Sequence, residues 1–206
     1  MSTGVIIAVV VVGLIVVLWY FAAYNDFVRL RNLVAESWKQ IDVELQRRHD
    51  LVPNLVATVE RSAAFERGTL AAVIEARNRA RALTGTAGDV ASVADAENAL
   101  TTALGRVQML AEQYPELGTV RNYAALQREL ADLEDRIAAS RRLYNANVRA
   151  LNTKVESAPA MLVASLHHVS AVEYFELSEA QARAVIDVDQ LFSDRTDAGQ
   201  RLSKQA

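Results

Sequence analysis

The stretch LQRRHDLVPNLV, which runs from Leu45 to Val56, places charged side chains inside an apolar helical pattern. Apolar residues recur on both sides of it at intervals of three and four, which marks one face of a helix. The members of this face are Val34, Trp38, Ile41, Leu45, Val52, Leu55 and Val59. Extending the face from Leu45 leads to Arg48 and His49, so the pattern predicts a helix whose apolar face is interrupted by polar residues.

Pro53 marks the point where this helix cannot make its usual backbone hydrogen bond. Proline has no N–H, so the carbonyl of His49, four residues earlier, loses its donor, and the ring pushes that carbonyl aside. We therefore expect a kink at Pro53, with the freed carbonyl beside Arg47, Arg48 and Asp50. Buried polar groups need partners, so something must pair with this carbonyl.

Three interpretations of the cluster remain open from the residues. It is a polar joint between two helices, a solvent-exposed bend, or a ligand, metal or catalytic site. For a joint we expect partners on a later helix, where Asn145 and Asn152 share one face because they are seven residues apart. A polar residue in an apolar face can fix the register of two helices. The predicted joint comprises Arg47, Arg48, His49, Asp50, Pro53, Asn54, Asn145 and Asn152.

The N-terminal part, from Gly4 to Ala23, reads GVIIAVVVVGLIVVLWYFAA and has no charge and no proline. At ~1.5 Å per residue, a helix of this length spans the ~30 Å hydrocarbon core of a bilayer. Trp19, Tyr20 and Tyr24 lie at one end, where aromatic residues meet the membrane surface. A cleaved signal peptide would begin with basic residues and have a shorter apolar core. We therefore predict a permanent transmembrane helix.

Basic residues predict the orientation of this helix. Arg29 and Arg31 follow the apolar run closely, whereas no basic residue precedes it. By the positive-inside rule, we expect residues 1–3 outside the cytoplasm, residues 4–23 across the membrane and residues 24–192 in a cytoplasmic bundle. The polar residues 193–206 are expected to form a flexible tail. The predicted membrane-interface residues are Trp19, Tyr20, Tyr24, Arg29 and Arg31.

Helical periodicity dominates the rest of the chain as well. The first helix is expected to continue to a loop at Leu83–Asp89, and a second is expected over residues 90–113. After YPELG, a third covers residues 119–157, and the capping-box pattern SEAQ opens a last one over residues 178–192. Residues 161–177 either form a short apolar helix or lie along the bundle. The prediction is an all-α fold, with a transmembrane helix followed by an antiparallel bundle of about four long helices.

Composition excludes several classes of function. The chain has no cysteine, so it has no disulfide or thiolate site, and its net charge of -3 gives no reason to expect nucleic acid as a partner. It has three histidines and lacks HExxH, a phosphate-binding glycine loop and a nucleophile elbow. His167 and His168 are neighbours, so in a helix they would point in different directions. We therefore predict no catalytic residue, metal or cofactor.

Five stretches resemble the LemA family of bacterial single-pass membrane proteins. They are YNDFVRLRN (24–32), WKQIDVELQRRHDLVPNLV (38–56), QYPEL (113–117), LEDRIAASRRLYN (133–145) and EYFE (173–176). The resemblance implies an N-terminal anchor and an antiparallel cytoplasmic helix bundle, and it implies no particular reaction. The chain departs from the family pattern at Leu151-Asn152, Ala158-Pro159 and His167-His168.

These observations predict a non-enzymatic scaffold or adaptor at the plasma (inner) membrane of a bacterium. Its expected partners are the lipid bilayer, further copies of the chain and other membrane proteins. Two alternatives remain open. One is a membrane-bound receptor or enzyme that uses the cluster from Arg47 to Asp50 as a ligand or metal site. The other is a protein that organises or remodels the bilayer.

Overall fold

The computed structural model describes residues 2–60, 67–85, 89–113 and 121–177. Over these ranges the chain forms helices and no strand, which confirms the all-α prediction. The helices are α1 (Ser2–Glu60), α2 (Arg67–Leu83), α3 (Val90–Gln113), α4 (Arg121–Glu156) and α5 (Ala160–Leu166). The YPELG break, the predicted last helix over 178–192 and the tail 193–206 lie outside the described residues.

Helix α1 has 59 residues and changes its environment along its length. Side chains from Val5 to Leu18 are exposed, and this part is long and apolar enough to cross a membrane. Further along, one face becomes buried at the predicted intervals of three and four. Its apolar members are Ala23, Phe27, Leu30, Val34, Ile41, Leu45, Val52, Leu55 and Val59. The helix continues through Pro53, and a kink at that residue stays a prediction.

Helix α4 packs along α1 in the antiparallel direction. Near its C-terminal end, the Lys154 ammonium is bonded to the Asp26 carboxylate. Ten residues earlier on α4, the ring of Tyr144 lies beside the ring of Trp38 on α1, with the two centroids 5.2 Å apart. Residue numbers along α1 therefore increase in the direction in which residue numbers along α4 decrease, as the predicted antiparallel bundle requires. This register decides which side chains of the two helices meet.

The expectation that the first helix continues to Leu83 is wrong. Helix α1 ends at Glu60, and α2 folds back along it, so that the Arg77 side chain reaches the backbone of His49. The spacing of three and four carried no signal for this reversal, because Leu70 and Val73 continue the apolar pattern while packing against the same cluster as Val59. Helix α2 ends at Leu83 and α3 begins at Val90, as the predicted loop requires, and Gly85 after α2 has a φ of 83°, which suits glycine.

Beyond α4 the chain turns twice and comes back along the bundle. The Ala158–Pro159 peptide is cis, α5 follows, and His168 adopts a positive φ of 51° at the second turn. Residues 169–177 are then extended along α4. Both expected forms of this stretch therefore occur in succession, first a short apolar helix and then a segment lying on the bundle.

Candidate functional site

The four charged residues at the centre of the opening stretch divide between the inside and the outside of the bundle. Arg48 is 1% exposed and His49 is fully buried. Arg47 faces solvent and is paired with Glu44 at 2.9 Å, and Asp50 is exposed and accepts a bond from Gln46 at 3.2 Å. Successive helical residues point about 100° apart, so two neighbours can face the core while the residues flanking them face water.

Glu97 on α3 binds both buried residues. Its two carboxylate oxygens accept from the Arg48 guanidinium at 3.1 Å and from His49 Nε2 at 2.6 Å. The second Arg48 Nη contacts Thr101 Oγ1 at 2.8 Å and the Glu134 carboxylate of α4 at 2.6 Å. Arg48 therefore joins α1 to α3 and α4 at one level of the bundle.

The local sequence of α3 explains why a carboxylate lies there. Val93, Ala94 and Leu100 are buried, and Glu97 falls between them at the same spacing, so it occupies the apolar face of α3. Sequence reasoning missed Glu97, although a single acidic residue on an alanine-rich apolar face was a usable signal. A buried carboxylate needs a cationic partner, and α1 carried one in Arg48.

Arg77 pairs with the carbonyl that Pro53 leaves without a donor. Its Nε donates to the His49 carbonyl oxygen at 3.0 Å. The expected need for a polar partner is thus met by a residue of α2. The position of Pro53 predicted that a partner is needed, but not which residue supplies it, because the reversal of α2 was not foreseen.

The chemistry available to this cluster is limited by its burial. An ionised Glu97 accepts hydrogen bonds, and His49 pairs with such a carboxylate in the form that carries its proton on Nε2. Among the described atoms, His49 Nδ1 and Arg48 Nε are buried and have no hydrogen-bond partner. General acid–base catalysis requires the acting group to reach a substrate within hydrogen-bonding distance, and both His49 and Glu97 are fully buried. The arrangement joins helices: its members Arg48, His49 and Glu97 are buried, and the Glu134 side chain, which is 45% exposed, is the part of it that reaches solvent.

Asn145 and Asn152 lie elsewhere and have other partners. The antiparallel register brings Glu134 of α4 to Arg48. The Asn145 amide instead exchanges two hydrogen bonds with the backbone of Phe175, at 2.9 and 3.1 Å. Asn152 does the same with Val172, at 2.8 and 2.9 Å. The structure therefore does not bring them to the arginine–histidine cluster, and they hold the extended segment 169–177 on α4.

The outer residues of the stretch line a groove between α1 and α4. Arg47, Asp50 and Asn54 face Glu129, Asp132 and Arg136 across a space of about 600 Å³. Charges of both signs line it, so it has no single preference for anions or cations. In the part of the chain that the structure describes, no group of three His, Asp or Glu side chains is placed to hold a metal ion.

The predicted membrane-interface residues cluster around the end of the exposed apolar part of α1. The Tyr20 hydroxyl contacts His167 Nε2 at 2.7 Å, and the Tyr24 ring lies 4.6 Å from the His167 ring. Arg29 binds Asp26 at 2.5 Å, while Trp19 and Arg31 are exposed. Hydrogen bonds from Lys154 and Arg29 hold the pKa of Asp26 below its usual value.

Asp42 is a second carboxylate on α1 in an unusual environment. Burial raises its pKa, and the nearby backbone N–H of Gly85 acts in the opposite direction. Its Oδ1 atom is buried and has no hydrogen-bond partner among the described residues. Because it faces the loop after α2, Asp42 lies where α2 turns into α3.

Comparison with known proteins places the region that contains these residues in a known family. A sequence model described as the LemA family matches residues 37–189, about three quarters of the chain. Magnetosome protein MamQ 2 of Paramagnetospirillum magneticum is 26% identical, and the match covers 94% of this chain and 80% of the relative. Magnetosome protein MamQ of Magnetospirillum gryphiswaldense is 27% identical, with 83% and 71% covered. Protein LemA of Metamycoplasma hominis is 24% identical, with 82% and 75% covered.

Proposed function

The chain belongs to the LemA family, and from this premise we propose that it is a non-enzymatic scaffold or adaptor anchored in the bacterial plasma membrane. The observation that carries the proposal is the continuity of α1. One helix of 59 residues contains both the exposed apolar part and the buried face of the bundle. A continuous helix transmits the direction of its membrane part to its other end, which suits a protein that positions others.

The burial and pairing of the polar cluster support a structural role. Arg48, His49 and Glu97 are all used to join α1, α3 and α4. An enzyme of comparable design would leave at least one of them open to substrate. Burial of an ion pair gives little net stability, but it can select one register of helices among several. We propose that the cluster selects the antiparallel arrangement on which the scaffold depends.

The proposed partners are the bilayer, further copies of the chain and other membrane proteins. The long exposed faces of α1 and α4 offer extended surfaces for lateral contact, and the groove beside Arg47 and Asp50 carries charges of both signs. The proposed orientation leaves residues 1–3 outside and the bundle in the cytoplasm, because Arg29 and Arg31 follow the apolar run.

The number of copies of the chain that associate in the membrane tests the proposal. Native membranes would be treated with a chemical crosslinker, and the full chain would then be purified in a mild detergent for measurement of its mass. We expect a discrete particle that contains several copies. The variant Asp50→Asn, which changes an exposed residue, serves as a control that should assemble like the natural chain.

A monomer that retains a bound small molecule would contradict the scaffold. Native mass spectrometry of the same sample would detect such a ligand directly. The receptor or enzyme alternative would then replace the proposal, and loss of the ligand in Arg47→Leu or Asp50→Asn would place it in the groove between α1 and α4.

A further inference from the structure

Helix α5 has an apolar face that is not covered by any residue in the part of the chain that the structure describes. Val163 and Ala164 are each 2% exposed and face the core, whereas Met161, Leu162 and Leu166 are 49%, 67% and 65% exposed. The helix has seven residues, so nearly half of it presents large apolar side chains to the outside. An exposed apolar patch is typical of a site that contacts a membrane or another protein.

The position of α5 points to the bilayer. His167, which follows the helix directly, bonds to the Tyr20 hydroxyl at 2.7 Å and packs on the Tyr24 ring. Val163 and Ala164 share a core cluster with Ala23, the residue at which α1 begins to be buried. Helix α5 therefore lies beside α1 at the level where the exposed apolar part of α1 ends.

The composition of the surrounding chain is an independent indication. No Asp, Glu, Lys or Arg occurs between Glu156 and Glu173, although these residues make up 23% of the whole sequence. The uncharged run comprises the end of the turn after α4, all of α5 and the start of the extended segment. Charged groups are expensive near hydrocarbon, so a charge-free segment suits a position at the membrane surface.

We propose that α5 is a second membrane contact, in which Met161, Leu162 and Leu166 insert into the boundary between lipid headgroups and acyl chains. The inference rests on the membrane anchor of the proposed function. Short apolar faces bind this boundary when something holds them in its plane, and α1 supplies that support through the contacts of His167 with Tyr20 and Tyr24. A second copy of the chain is the competing occupant, but the bilayer already adjoins α5 where α1 emerges.

A fluorescent reporter at Leu162 distinguishes these occupants. The chain has no cysteine, so Leu162→Cys can be labelled at one site with an environment-sensitive dye. The full chain would be reconstituted in vesicles of phosphatidylcholine and phosphatidylglycerol. Quenching would be measured with lipids that carry a nitroxide near the headgroup and, separately, with iodide in the water.

Two further positions serve as controls. Val11→Cys lies in the exposed apolar part of α1 and reports on the anchor. Met109→Cys is a matched apolar site that is 59% exposed on α3, beyond Glu97 and away from the membrane end. We expect the dye at Leu162 to be quenched by lipid several-fold more than the dye at Met109, and to be protected from iodide. Met161→Cys repeats the measurement if the Leu162 variant does not fold.

Each other outcome overturns the proposal. Strong iodide quenching at Leu162 with no lipid quenching would show α5 in water, while lipid quenching at Val11 would leave the anchor intact. Protection from both quenchers would show that protein, and not lipid, covers α5. Loss of lipid quenching at Val11 would remove the anchor itself, and the second contact with it.

Discussion

At the scale of single residues, Glu97 is the group on which the buried cluster depends, because it binds Arg48 and His49 together. Removing one partner of a buried ion pair commonly costs ~3–5 kcal/mol, since the other charge stays buried without compensation. We expect Glu97→Gln to lower the free energy of unfolding by about 3 kcal/mol, near the low end because Glu134 still pairs with Arg48. Urea unfolding of the full chain in detergent micelles, followed by circular dichroism, measures this loss.

Asp95→Asn is the matched control for that measurement. Asp95 lies two residues away on α3 and is exposed, so its replacement should change the free energy of unfolding by less than ~0.5 kcal/mol. Equal effects of the two substitutions would show that the cluster contributes no more than a surface charge.

Two carboxylates on α1 should respond to pH with opposite signs. The pKa of Asp42 is raised by burial, so its charged form disfavours folding, and this penalty appears as pH rises above the ordinary value of 3.8. Asp42→Asn should therefore stabilise the protein at pH 7, because the amide has no charge to bury. Below pH 3.8 the gain should vanish, because the natural side chain is then neutral as well.

Asp26 provides the comparison with the reverse sign. Lys154 and Arg29 lower its pKa, so its charge stabilises the fold above the ordinary value of 3.8, and that stability is lost as pH falls through the lower folded value. Asp26→Asn should destabilise the protein at pH 7 and have no effect in strong acid. Unfolding curves recorded across this pH range would contradict the assignment if both variants shifted stability in the same direction.

At the scale of elements, the contact of Arg77 with the His49 carbonyl links α2 to the proline in α1. The carbonyl has no helical donor because of Pro53. Arg77→Met should therefore lower the free energy of unfolding by ~1.5–3 kcal/mol, the range for a hydrogen bond from a charged group. In a Pro53→Ala background the restored backbone N–H can serve the same carbonyl, so the cost of Arg77→Met should be smaller.

A double-mutant cycle measures this coupling. The four proteins are the natural chain, Arg77→Met, Pro53→Ala and the double variant, and denaturant unfolding gives the coupling free energy. Arg79→Met, an exposed arginine of the same helix, serves as the control and should show no coupling with Pro53→Ala. Additive effects of Arg77→Met and Pro53→Ala would mean that the proline and the arginine act independently.

At the scale of the whole molecule, α1 and the antiparallel α4 form one unit, and the apolar part of α1 is long enough to anchor it in a membrane. We expect the bundle on the cytoplasmic side, because Arg29 and Arg31 follow the apolar run and no basic residue precedes it. Protease added to right-side-out membrane vesicles should leave the bundle intact, and protease added to inverted vesicles should digest it. Digestion in the right-side-out preparation would reverse the orientation, and detergent-treated vesicles control for intrinsic resistance to the protease.

The amino-acid sequence by itself determined the features that depend on neighbours along the chain. The apolar run from Gly4 to Ala23, the buried face of α1, the loop after Leu83 and the range of α4 all follow from local periodicity and turn residues. The need for a partner at the His49 carbonyl also followed, since it depends only on a proline four residues later.

Only the tertiary structure decided which distant residues meet. Arg48 and Glu97 are 49 positions apart, and their contact depends on the reversal after Glu60 and on the register between α1 and α3. The same apolar spacing is compatible with a helix that continues and with one that folds back, so the sequence pattern did not separate these cases. For that reason Asn145 and Asn152 were expected at the cluster, whereas Glu134 is the residue of α4 that binds Arg48, and the two asparagines bind the backbone of the segment 169–177. Pairing is a property of three-dimensional register, which periodicity within one helix does not encode.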